Sequence, residues 1–314
     1  MKRAAPFSGA PEPGSRGPEL LARSLKQQWK RYRKQLKRGQ HKCSSGAIHA
    51  FRVETRRLLS TLELLGGFLP VGRVAKVQRI LKRHRDVFDD LRDTQVQLAA
   101  VGSMRWVFPA ARPFHAWLRE REERFARKAG KNIRKVKTGR LGKLIAAGRE
   151  EVEEWLRDCT PQKALAVILR SVDRAFRRTR QLRARIDARD TLTIHRARVA
   201  FKRFRYMMEA LAEHLPAVTE GRLAAMHHYQ TMMGKIQDAE VLLATLDKSP
   251  LQQEIKLEAV RRFRAELLRR RQRLIQVYLK AADRLLEFWP LPNSGACVSP
   301  ANVERKFEQK AENL

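Results

Sequence analysis

The chain has 314 residues, with 67 Lys and Arg against 33 Asp and Glu, for a formal net charge of +34. Hydrophobic residues make up 43% of it, too many for a disordered basic tail, and the length allows a sizeable core, as one large domain or two halves. A compact body with this charge repels itself and attracts polyanions, so the partners to consider are DNA, RNA, inorganic polyphosphate, inositol phosphates or an anionic membrane face.

Cys43, Cys159 and Cys297 are odd in number and far apart. They offer neither a disulfide framework nor metal-ligand spacing, which suits a reducing cytosol. Met1-Lys2-Arg3-Ala4-Ala5-Pro6 lacks an apolar leader segment, and no apolar run approaches membrane-spanning length, so a cytoplasmic protein with no membrane partner is expected.

Residues 1–17 are rich in Pro and Gly and read as a disordered arm. From Pro18 the pattern is helical: Leu21, Leu25, Trp29, Tyr32 and Leu36 follow helix spacing, with Gly39 as the expected stop. A second helix opens near Ser44 or Ser45, and Ile48, Phe51, Thr55, Leu58, Leu62 and Leu65 form its buried stripe. It ends at Gly66-Gly67 or before Pro70. The spacing then predicts one helix over about Arg73–Val101, a turn at Phe108-Pro109 and Pro113, and a helix from about Phe114 to Val136. Gly139 and Gly142 precede a helix carrying the acidic run Glu150–Glu154, and Pro161 opens the next one. A long helix runs from Pro250 to about Phe288, with seven arginines between Arg261 and Arg273. Alternating strand patterns are absent, which makes the chain all-α. The expected organisation is an arm (1–17), a first helical half (18–157), a second helical half (158–290) and a tail (291–314).

One stretch occurs twice. Ile48–Pro70 matches Ile194–Pro216 without a gap, with nine of 23 pairs identical, including His49/His195, Arg52/Arg198, Arg57/Arg203, Glu63/Glu209 and Pro70/Pro216. Arg56/Lys202 keeps its charge. In the second copy Ile194, Ala197, Phe201, Phe204 and Met208 form the core stripe. The basic stripe is His49, Arg52 and Arg56 in the first copy and His195, Arg198, Lys202 and Arg205 in the second. Asp190-Thr191 aligns with Ser44-Ser45, so the cap position recurs as well. A weaker echo pairs Asp93, Val96 and Leu98 with Asp238, Val241 and Leu243.

Helical stripes of this kind present cations in a row. Arg forks grip phosphate oxygens bidentately and Lys supplies point charge. His49 and His195 lie in the first turns of their helices, where free N–H groups and the helix dipole also favour an anion. For Arg57 and Arg203 a solvated face is as good an explanation. Arg261–Arg273 read as general field, and Asp93, Asp238, Glu63 and Glu209 as partners that orient motif arginines by ion pairs. Of Asp86, Asp89, Asp90 and Asp93 only the last recurs, so no metal site is expected. With no phosphate-binding Gly-rich loop and no repeated acidic cluster, neither enzymatic activity nor a cofactor is expected. Aromatic residues are 7% and sit at core spacing, so no base-stacking platform emerges, and nucleic acid ranks behind polyphosphate as partner.

The pattern H-x-x-R-V-x-x-R/K-R, repeated in the second half, with Arg92-Asp93 and Gln237-Asp238 following in turn, resembles the CHAD domain (conserved histidine α-helical domain). The resemblance covers Glu19 to Trp289. It implies two pseudo-symmetric helical bundles with a central basic groove or pore, and members that bind inorganic polyphosphate, some of them on polyphosphate granules. Some members carry a CYTH triphosphatase domain; with no E-x-E-x-K pattern near Met1 and the resemblance taking up almost all of these residues, none is expected here. Residue by residue, the resemblance places His49, Arg52, Arg56 and Arg57 in the first motif and His195, Arg198, Lys202, Arg203 and Arg205 in the second. Tyr206 fits the family's Arg-Tyr pair, where the first copy has Leu59-Ser60. Gly234-Lys235 stands where the first copy has Asp89-Asp90, which adds Lys235 to the expected site.

Overall fold

The computed structural model describes residues 17–42, 44–212, 215–251 and 257–290. The rest of the expected arm and the expected tail lie outside them. The described elements, in chain order, are α1 (Gly17–His41), α2 (Ser45–Leu64), a 3-10 turn (Leu65–Phe68), α3 (Val71–Asp86), α4 (Asp89–Gly102), a 3-10 turn (Met104–Trp106), α5 (Ala111–Arg134), α6 (Gly139–Arg157), α7 (Pro161–Arg183), α8 (Thr191–Ala212), α9 (Glu220–Asp247), α10 (Leu257–Lys280) and a 3-10 stretch (Ala282–Phe288). Among the described residues the only β pairing is an isolated bridge between Asp187 and Asp190.

Local chemistry accounts for the two repeated helices. Ser44 Oγ accepts from the Ala47 amide at 3.3 Å, capping α2. Asp190 Oδ1 accepts from the Leu192 amide at 3.0 Å, so the aligned position also satisfies a free donor at the start of α8. The stripes Ile48–Phe51–Thr55–Leu58–Leu62 and Ile194–Ala197–Phe201–Phe204–Met208 are all buried. Each large apolar side chain removed from water contributes about 1.5–3 kcal/mol, which fixes the rotation of both helices and with it the direction of their basic flanks.

Three expected boundaries are corrected. The predicted Arg73–Val101 helix is two, because the chain turns at Val87-Phe88. The turn seats Phe88, fully buried, with its ring edge-on to Phe51 at 5.7 Å; neither Gly nor Pro marks the break, so periodicity alone missed it. Gly39 does not stop α1. Gln40 Nε2 donates to the carbonyls of Ile133 and Val136, at 3.1 and 3.2 Å, and so ties the last turn of α1 to the end of α5. The final helix gives way to a 3-10 stretch after Lys280, where Tyr229 Oη donates to the Ala282 carbonyl at 2.9 Å. Its start at Pro250 is followed by residues outside those described.

The buried core crosses the expected boundary at 157/158. The larger apolar cluster runs from Leu21 to Phe288 and contains both repeated helices. A smaller one joins the end of α4 and the start of α5 (Val101, Phe114, Leu118) to the end of α9 and α10 (Leu246, Phe263, Leu267).

Gly67 permits one close approach in this packing. A Cβ there would lie 2.4 Å from Val167 Cγ1 on α7, whereas a Cβ at Gly66 would meet nothing within 4 Å. Gly67→Ala is therefore expected to destabilise by about 1–3 kcal/mol, and Gly66→Ala by less than about 0.5 kcal/mol. Urea denaturation of the two variants checks this, and equal midpoints would refute the close-approach argument.

Candidate polyanion-binding cleft

Helices α2, α3, α4, α7, α8 and α9 enclose a cleft of about 1550 Å³. Ten Arg or Lys side chains line it against four Asp or Glu, together with His49 and His195. Among the described residues Tyr206 is the one Phe, Trp or Tyr in the lining.

The two basic stripes meet here. His49, Arg52 and Arg56 enter from α2, and His195, Arg198, Lys202 and Arg203 from α8. Three expected site residues stand elsewhere. Arg57 turns outward and pairs with Glu54 at 3.0 Å. Arg205 is 5% exposed, donates from Nε to Gln230 Oε1 at 2.9 Å and pairs with Glu209, so it belongs to the core. Lys235 is exposed on α9 and does not line the cleft.

The lining cations are held in different ways. Arg52 pairs with Asp89. Arg56 donates to Tyr206 Oη at 3.1 Å, a bond from the first sequence copy to the second. Arg203 and Glu63 make the reverse crossing, at 2.8 Å, and Glu63 also accepts from Gln78 at 3.0 Å. Arg198 and Lys202 form no ion pair within 4.0 Å among the described residues, and Arg198 Nε is buried without a hydrogen-bond partner. Gly234 lies beside it: a Cβ there would meet Arg198 Nε at 3.8 Å, an ordinary contact.

This crowding sets the protonation of the site. Loss of water pushes the Lys202 amine down to about 6, and Arg56, Arg198, Arg52 and Arg85 push in the same direction. Desolvation, then Arg92, Arg56 and Arg52, hold the His49 imidazole below its usual range. His195 Nδ1 lies 2.5 Å from Gln237 Oε1, a carbonyl oxygen, so Nδ1 is the donor. At the aligned place beside His49 the first copy has Arg92, not Gln.

Asp93 and Asp238 do not serve as the expected ion-pair partners. Asp89 takes Arg52 instead. Desolvation raises both recurring carboxyls; Asp89 and Asp238 raise Asp93 further, while Arg198, Arg92 and Lys202 draw Asp238 down. Asp238 thus acts on Asp93 across the α4–α9 junction, and both act on the cations at longer range.

Arg85, Arg92, Arg174, Arg178 and Arg196 also line the cleft and were missed from sequence. Arg92 was marked by its place before the recurring Asp93. Arg174 and Arg178, one turn apart on α7, carried no repeat that would separate them from a solvated face. The arginine run on α10 is outside the lining, and Arg262, Arg264, Arg269, Arg271 and Arg273 each meet an acid at 2.7–3.1 Å.

The CHAD domain family model matches residues 19–247. The architecture is similar to the crystal structure of the CHAD domain from the plant Ricinus communis, at a TM-score of 0.66 and 21% identity, covering 92% of this chain and 99% of that one. It is also similar to the structure of PptA from Streptomyces chartreusis, at a TM-score of 0.59 and 16% identity, covering 86% and 99%. None of the curated proteins matches the sequence. Among the described residues no helix is long and apolar enough to cross a membrane.

The depressed Lys202 amine makes stability depend on pH. Between about 6 and its ordinary 10.5 the unfolded chain holds a proton that the folded chain lacks, so stability rises with pH through that window. Lys202→Met removes this dependence. The variant should exceed the parent in thermal stability most at pH 6, with the gap narrowing as pH rises toward 10. A gap that is constant with pH would show that the amine is not depressed.

Proposed function

The chain belongs to the CHAD domain family, and from that premise we propose that its cleft binds inorganic polyphosphate without catalysing a reaction on it. One observation carries the reading: α8 brings Arg198 and Lys202 opposite Arg52 and Arg56 of α2, and the two α8 cations have no acid within 4.0 Å among the described residues. The uncompensated Arg198 charge is unfavourable in a partly desolvated cleft until an anion enters, and the same anion favours return of the proton that the Lys202 amine gives up above about pH 6.

The chemistry selects for a bare phosphate chain. Arg guanidinium groups grip phosphate oxygens in bidentate fashion. Tyr206, the only lining Phe, Trp or Tyr among the described residues, is 8% exposed, and its hydroxyl is engaged by Arg56, so it offers no surface for base stacking. With Nδ1 bonded to Gln237, Nε2 is the ring nitrogen of His195 left to meet a ligand. Asp89 and Glu63 are engaged by Arg52 and Arg203, which supports binding over metal-assisted phosphoryl transfer. On this reading the two sequence copies form pseudo-symmetric bundles around one central groove. The protein works in the cytoplasm, held on polyphosphate granules.

Combined alanine substitution of Arg52, Arg56, Arg198 and Lys202 should weaken polyphosphate binding about a hundredfold, or ~2.7 kcal/mol. Alanine at four arginines of 261–273 should weaken it by less than about tenfold, or ~1.4 kcal/mol. Calorimetric titration at physiological salt compares the two, and equal losses would reduce the site to bulk charge. Displacement of bound polyphosphate by duplex DNA or RNA at matched phosphate concentration would overturn the ligand assignment, and time-dependent phosphate release would overturn the non-catalytic one.

A further inference from the structure

The excess positive charge is not confined to the cleft. Residues 20–53 carry ten Arg or Lys and no acid, and residues 124–149 carry ten more and no acid. Folding joins the parts of these stretches that form α1, the end of α5 and the start of α6. Gln40 of α1 bonds to the Ile133 and Val136 carbonyls, and Trp29 of α1 packs on Gly142 of α6.

All eight Arg and Lys of α1 are exposed, as are the six between Lys131 and Lys143. Not one of these fourteen makes an ion pair among the described residues. The contrast with α10 is informative, because there five arginines pair with four acids at 2.7–3.1 Å, Arg269 and Arg273 sharing Glu266. A solvated basic helix can be balanced by acids, and this one is not. From Arg23 to Arg38 the cations of α1 extend over about 22 Å, a distance along which duplex DNA presents about 13 phosphate charges.

We infer that the exposed face of α1, extended by the end of α5 and the start of α6, docks the phosphodiester backbone of a nucleic-acid duplex without reading its sequence. The inference does not depend on what the cleft binds. An open face differs from an enclosed cleft in the ligand it suits. A flexible phosphate thread laid on an open surface loses conformational entropy wherever it is held. A duplex, stiff over ~50 nm, has little left to lose. An anionic bilayer is a poorer fit, because docking on lipid uses apolar or aromatic side chains beside the cations. The large exposed apolar side chains, such as Trp106 and Val107, lie on other elements, except Trp155, which sits in the last turn of α6, at the opposite end of that helix from the basic face.

The test uses the full chain, a short mixed-sequence DNA duplex, a short polyphosphate and phosphatidylserine vesicles. K26Q/K30Q/K34Q/K37Q alters only exposed α1 positions, and a second variant, K131Q/K135Q/K137Q/K143Q, covers a failure of the first to fold. Duplex affinity should fall at least about tenfold, and the slope of log affinity against log salt should become shallower by about 0.9 for each phosphate no longer neutralised. Polyphosphate affinity should stay within about twofold, and R198A/K202A should show the opposite pattern. A duplex affinity and salt slope unchanged in both Lys→Gln variants would overturn the inference. So would displacement of the duplex by stoichiometric short polyphosphate, or loss of vesicle binding with duplex binding intact.

Discussion

The structure depends on holding two rows of like charge face to face. Helices α2 and α8 place Arg52, Arg56, Arg198 and Lys202 on opposing sides of one cleft, where their mutual repulsion opposes folding. Apolar burial overcomes it. Each basic stripe lies one residue round from a fully buried one, so moving the cations apart would pull Ile48, Phe51, Phe201 or Phe204 out of the core. The depressed Lys202 amine is the local sign of the conflict, and proton loss is how the empty cleft relieves part of it.

Two polar crossings tie the opposing helices together at the cleft itself. Arg56 reaches Tyr206, and Arg203 reaches Glu63. Both join a residue of one sequence copy to a residue of the other, so neither half completes the site alone. The buried core says the same, since the larger cluster draws on both halves. A ligand bridging the walls adds stability that grows with the logarithm of its concentration relative to its dissociation constant, and it returns to Arg198 and Lys202 the counter-charge the folded chain withholds.

Charge is handled in three ways across the molecule. On α10 it is largely offset by nearby acids, a weak surface effect worth at most about 1 kcal/mol per pair. In the cleft it is left partly uncompensated and partly desolvated, where an anion gains most. On α1 it is uncompensated but fully hydrated, which suits long-range attraction and salt-sensitive docking. Net charge alone does not distinguish these regimes.

The all-α class, the main helices and the paired motif were legible in the sequence, because apolar periodicity and an ungapped repeat are local properties of the chain. The same repeat singled out His49, Arg52, Arg56, His195, Arg198 and Lys202, all of which line the cleft. Arg205 and Lys235 were misplaced for opposite reasons. Arg205 continues the basic stripe but finds Glu209 and Gln230 inside the core, while Lys235 sits on an Asp helix whose rotation the motif does not set. The break before α4 was hidden because a buried aromatic contact, with no helix-breaking residue, produces it. By itself the sequence determined which faces of α2 and α8 are apolar and which are basic, since that pattern is written at helical spacing. Only the tertiary structure decided which cations are cancelled, which converge and which stay open to solvent, because an arginine's role depends on whether packing brings an acid within reach.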